Sequence, residues 1–119
     1  MAILLSFDID GTLELGDPPG GVTVEMVRRA IDRGFIVGSC SDRPLSSQRR
    51  MWAALEIEPA FVASKHQLGQ VKEQFEDADA YYHMGDRNTD YEAAEDNDFG
   101  FWWHHEAELE PWLELTNSD

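Results

Sequence analysis

The chain has 119 residues, enough for one hydrophobic core and too few for two. Its 24 acidic residues against 9 basic ones give a net charge of −15, which repels nucleic-acid backbones and anionic membranes. A hydrophobic content of 42% is sufficient for a packed core, and a single cysteine, Cys40, excludes an intramolecular disulfide. Cys40 sits in an apolar run, where a buried and inert thiol is expected. The first apolar run reaches aspartate too soon for a signal sequence or a membrane span, and no later run is long enough, so a soluble cytoplasmic protein is expected. The acidic excess fits a salt-rich cytoplasm, where ions screen self-repulsion, and equally an ordinary acidic protein.

Apolar runs alternate with segments of helical period, the pattern of a mainly parallel sheet with crossover helices. Residues 3–7, I-L-L-S-F, predict a first strand that breaks into Asp8-Ile9-Asp10-Gly11-Thr12-Leu13. Asp8 and Asp10 share side-chain parity in an extended chain, so both can face one site. Two carboxylates held that close repel and favour a cation beside them, although an Asp-Gly turn is the plainer reading of the same residues. Residues 14–21, dense in Gly and Pro, are a candidate flap over that site. Val24, Val27, Ala30 and Ile31 then recur at helical spacing, with Thr23 as N-cap and Gly34 just past the end.

Residues 35–40 read as the second strand, followed by Ser41-Asp42-Arg43-Pro44. A hydroxyl at a strand end hydrogen-bonds a phosphoryl oxygen without adding charge, and Ser41 stands at the rim while Ser39, on the same face, lies deeper. Pro44 and Ser46 open a second helix carrying Met51, Trp52 and Leu55, and residues 60–63 predict a third strand. Lys65 follows at a strand-to-helix junction, where a fixed positive charge serves a site that binds a phosphate beside a carboxylate. The other lysine, Lys72, lies within the third helix marked by Leu68, Val71 and Phe75 and is expected to be a solvated surface charge.

Residues 81–84 predict a fourth strand ending M-G-D-R-N-T-D. Asp86 falls in the turn and Asp90 one helical turn later, so both can point back at the rim, and oxygen-rich sites of this kind suit Mg²⁺. Tyr91, Ala93 and Ala94 mark a fourth helix, and residues 99–102 a fifth strand. In the acidic tail, 104–119, Leu109, Trp112, Leu113 and Leu115 are spaced for a short amphipathic helix. His104 and His105, adjacent and without a spaced Cys or His partner, are expected at the surface. Right-handed crossovers put all strand ends on one rim. The fold class is α/β: a three-layer Rossmann-like fold, a mainly parallel sheet of about five strands, in one domain over 1–119.

Taken in order, Asp8-Ile9-Asp10-Gly11-Thr12-Leu13, Ser41, Lys65, and Gly85-Asp86 with Asp90 resemble the four motifs of the haloacid dehalogenase-like hydrolase superfamily. The resemblance implies that Asp8 is a nucleophile forming an aspartyl-phosphate and that Asp10 protonates the leaving oxygen and then activates water. It implies that Thr12, Ser41 and Lys65 hold the phosphoryl group. Mg²⁺ would be bound by Asp8, the Asp10 carbonyl and Asp86, with Asp90 in support. Members that cleave carbon–halogen bonds lack an aspartate at the Asp10 position, and ion-pumping members carry threonine there, so Asp10 implies a phosphatase. The spans 12–41 and 41–65 are too short for the superfamily's inserted cap domains, so the chain looks like a capless member. Mutase chemistry, which needs water excluded, fits a capless site poorly.

An open site suits a macromolecular phosphate, or a small phosphorylated substrate if a second subunit of a homo-oligomer closes the entrance. Small capless relatives with an S/T-x-R-P second motif include domains acting on polynucleotide ends, which makes Arg43 a candidate substrate contact. The net charge argues against nucleic acid. The expected function is therefore a Mg²⁺-dependent phosphomonoester hydrolase acting through Asp8. A polynucleotide-end or protein phosphatase and a non-catalytic binding module on the same fold are the alternatives. Retention of Asp8, Asp10, Lys65 and Asp86 together speaks against the module, since like charges have no reason to stay grouped without a task.

Overall fold

A computed structural model describes residues 2–115. Its core is an all-parallel sheet of β1 (Ile3–Phe7), β2 (Ile36–Ser41), β3 (Val62–Ser64), β4 (Ala80–Gly85) and β5 (Gly100–Trp103). The spatial order is β3-β2-β1-β4-β5. From central β1 the chain moves outward through β2 to β3, then restarts on the other side with β4 and β5. Connections that part on either side of one strand leave a crevice at its carboxyl end, and that is where Asp8 lies.

All five residues of β1 are buried, as a strand covered on both faces requires. Ile3, Leu5 and Phe7 pack into one layer with Val27 and Ala30 of α1 (Val24–Asp32), Trp52 of α2 (Leu45–Ala54) and Trp112. Leu4 points the other way, into a layer with Leu68 and Val71 of α3 (Leu68–Gln74) and Ala94 of α4 (Asn88–Asp96). The three-layer α/β expectation therefore holds. Thr23 caps α1 by accepting from the Met26 N–H at 3.2 Å, and Gly34 follows the helix with φ +93°. Cys40 is fully buried, and burial pushes its thiol up to about 12.

The connections depart from expectation in three places. The loop 14–21 does not line the cleft; it folds back on the first turn, with the Pro18 carbonyl accepting from Gly11 N–H and Asp17 N–H donating to Asp10. The tail is two short pieces, α5 (His104–Ala107) and a 3₁₀ turn at Pro111–Leu115, because Glu110 adopts φ +52° and Pro111 cannot continue a helix. Trp112 is anchored edge-on to Phe7, 5.6 Å between ring centroids, whereas Leu109 is 81% exposed. The final tail residues, 116–119, lie outside the described residues. Lys72 is half-buried, and its ammonium donates to the Asn97 and Asp98 carbonyls just past α4, so it closes a helix end instead of standing free in solvent. His104 is half-buried and His105 exposed. Among the described residues no helix is long and apolar enough to cross a membrane.

Candidate active site

The carboxyl ends of β1 and β2 and the turns after β3 and β4 surround an open cleft of about 240 Å³, lined by Asp8, Asp10, Ser41, Asp42, Arg43, Lys65 and Arg87. Two larger grooves, of about 360 and 350 Å³, flank β3 and gather no cluster of carboxylates. Asp8 extends the β1–β4 ladder through its N–H to the Met84 carbonyl, 2.9 Å, and is only 3% exposed. The sheet itself thus fixes the first carboxylate.

Two glycines let the remaining carboxylates approach. Gly11 has φ +81°, and a Cβ there would stand 1.9 Å from Asp86 Oδ2. A Cβ on Gly85 would lie 2.2 Å from the Asp90 carboxyl carbon. Both positions need a residue without a side chain, one of them also for its backbone. Carboxylate oxygens of Asp8, Asp86 and Asp90 consequently lie within 4.8 Å of one another.

Lys65 opens a 3₁₀ turn (Lys65–Gln67) after β3, held by Ser64 N–H donating to Gln67 Oε1 at 2.8 Å. Its buried ammonium lies 3.2 Å from Asp90 Oδ1, 3.5 Å from Asp42 Oδ2 and 3.8 Å from Asp8 Oδ1. One lysine against the three clustered carboxylates leaves a deficit of two positive charges. The electrostatics register it: burial first, and then the Asp90 charge, push Asp8 up to about 8 against the pull of Lys65. Asp90 is held below the ordinary carboxylate range; burial opposes this, but the His83 hydrogen bond and the charge of Lys65 outweigh it. Burial would likewise depress Lys65, yet Asp8 and Asp90 together raise it.

The carboxylates differ in what they have left to offer. Asp90 Oδ1 accepts from His83 Nε2 at 2.9 Å and from Lys65, and Oδ2 accepts from Arg87 N–H at 3.2 Å, so its lone pairs are largely taken. Asp86 Oδ1 is buried with no hydrogen-bond partner, a state that costs a carboxylate kilocalories unless a cation meets it. Asp86 and Asp8 are thus suited to ligate a hard divalent cation, and Asp90 to support the lysine.

Asp10 plays a different part from Asp8. Its carboxylate is gripped by Arg43, Nε to Oδ2 at 3.1 Å and Nη2 to Oδ1 at 2.6 Å, and also accepts from Asp17 N–H at 2.7 Å. The Arg43 hydrogen bonds, against burial, hold it below its usual range. The Asp10 carboxylate is thus engaged away from the cluster, and the metal role expected of this residue is one for its main-chain carbonyl. Ser41 is buried on the cleft wall and its Oγ accepts from Arg43 N–H at 3.1 Å. Ser39 belongs to the core, donating to Gln48 Oε1 and accepting from Trp52 Nε1.

Thr12, expected to hold the phosphoryl group, stands behind the cleft wall. The turn draws Thr12 inward, its N–H bonded to Ile9 and its carbonyl to Val22 N–H, so the side chain is fully buried and off the cleft wall. The sequence reading missed His83, Asp42 as a partner of Lys65, and Arg87 on the wall. A histidine of interior parity two residues before Gly85-Asp86 was the available signal for the first. No protein-family model, curated protein or solved structure matches this chain.

Proposed function

We propose that the protein is a Mg²⁺-dependent phosphomonoester hydrolase acting through Asp8. The observation that carries this reading is the buried Asp8 carboxylate at the end of the central strand, opposed by Lys65 and sharing one small volume with Asp86 and Asp90. Its supporting context is the α/β crevice at the carboxyl ends of the strands, a position that suits a site but does not name one. In the proposed reaction an Asp8 oxygen attacks phosphorus, the bond to the leaving oxygen breaks, and Asp10 supplies that oxygen with a proton. Water then attacks the phosphorus of the aspartyl-phosphate, gives its proton to Asp10, and the Asp8–phosphorus bond breaks to release phosphate. Lys65 and Ser41 grip the phosphoryl oxygens. Arg43 pairs with Asp10 in the free protein; moving to the phosphoryl group would release Asp10 to carry a proton. Asp8, Asp86 and the Asp10 carbonyl would hold Mg²⁺, which when bound supplies the two missing positive charges and lowers the repulsion between Asp8 and the dianionic substrate.

A phosphorylated substrate is the implied partner, and the net charge of −15 disfavours a polynucleotide. Hydrolysis of an aryl phosphate by wild type with Mg²⁺, lost on addition of a chelator and in Asp8→Asn, is the expected result. Equal rates for wild type and Asp8→Asn would refute the mechanism.

A further inference from the structure

We propose that His83 is a positioning residue for Lys65, acting through Asp90; the proposal rests on the phosphatase reading above. His83 lies on β4 opposite Ser6 of β1, fully buried and out of contact with the cleft. Its ring spans from Ser6 Oγ, 2.8 Å from Nδ1, to Asp90 Oδ1, 2.9 Å from Nε2. An ionised carboxylate has no proton to give, so Nε2–H is the donor to Asp90, and Nδ1 takes the hydrogen of the Ser6 hydroxyl. The tautomer is thus set by the partners on either side.

This clamp decides where the Lys65 charge rests. Three carboxylates compete for the ammonium, Asp90 at 3.2 Å, Asp42 at 3.5 Å and Asp8 at 3.8 Å. His83 shares Oδ1 of Asp90 with Lys65, and Arg87 N–H holds Oδ2, so the carboxylate can neither turn nor give Lys65 all of its acceptor capacity. Lys65 therefore stays between Asp90 and the nucleophile, within reach of a phosphoryl group on Asp8. Without the histidine donor, Asp90 would draw the ammonium toward itself. The loss would fall on phosphate binding more than on the chemical step.

The test compares His83→Gln, which keeps an N–H donor, with His83→Met, which fills the space without one. With Mg²⁺ and an aryl phosphate, His83→Met should raise KM and the inhibition constant of orthophosphate about ten-fold or more, with a smaller change in kcat, and His83→Gln should stay within about three-fold of wild type. Nitrogen NMR of the wild-type side chains should show the Nε2–H tautomer of His83, and the Lys65 Nζ resonance should shift in His83→Met and much less in His83→Gln. Equal kinetic damage in both variants, an unmoved Lys65 resonance in His83→Met, or an Nδ1–H tautomer in wild type overturns the proposal. Wild type that never turns over refutes the phosphatase reading instead, and the NMR arms then decide the positioning claim alone. If His83→Met does not fold, the wild-type tautomer and His83→Gln still decide it.

Discussion

Asp8→Asn should make the metal-free protein more stable while removing its activity. In the unfolded chain Asp8 titrates near its ordinary 3.8, but in the fold burial and the Asp90 charge push it up to about 8. Between those values folding takes up a proton, so this residue opposes folding increasingly as pH rises from 3.8, and the penalty is complete above about 8. Each unit of that window is worth about 1.4 kcal/mol, which bounds the penalty at pH 7 near ~4 kcal/mol. Asparagine removes it but gives up the Lys65 partner and buries an amide, leaving a net gain of about 2–3 kcal/mol. A domain of this size moves about 4 °C in Tm per kcal/mol, so a rise of roughly 8–12 °C is expected at pH 7 in a chelator. Thermal unfolding followed by circular dichroism measures it. The gap should close near pH 4, where wild-type Asp8 is protonated in both states, and narrow with millimolar Mg²⁺, which wild type binds better. An Asp8→Asn protein no more stable than wild type at pH 7 in chelator would show that the cluster is not electrostatically loaded.

Lys65→Met should abolish phosphate binding measured by calorimetry and destabilise the metal-free fold by about 3 kcal/mol, because Asp8, Asp42 and Asp90 lose their shared cation. The loss should deepen only above about pH 8, where wild-type Asp8 ionises beside its lysine while the variant's Asp8, pushed higher by the missing cation, still has to hold its proton. Arg43→Ala frees Asp10, whose depressed titration then rises toward the ordinary carboxylate value. The limb of the kcat/KM profile that reports protonated Asp10, the one on the high-pH side, should move to higher pH, and KM should rise; an unmoved limb would show that Arg43 does not govern Asp10. Gly11→Ala should cost roughly 2–4 kcal/mol in denaturant unfolding and weaken Mg²⁺ binding, since its Cβ would displace Asp86 from a turn that already needs φ +81°.

Local pattern in the sequence determined the element types, their order, and which strand ends carry acids. Apolar runs bounded by turn residues have few solutions other than buried parallel strands, and β1 matches its expected bounds, Ile3–Phe7. Asp8, Asp10, Ser41 and Lys65 were legible because each follows a strand, and strand ends in such a sheet share one rim. Tertiary packing decided how the charges pair. Which acid Lys65 touches, that Arg43 occupies Asp10, and that His83 reaches Asp90 depend on distances between segments far apart in the chain, which no local period encodes. The same reason turned Thr12 inward, set Lys72 on carbonyls some 25 residues away, and divided the tail at Glu110. The sequence alone determined that carboxylates would meet at the end of β1. Only the folded structure decided that Asp86 would keep an unpartnered oxygen there, because the approach allowed by Gly11 and Gly85 is a property of the packed turns.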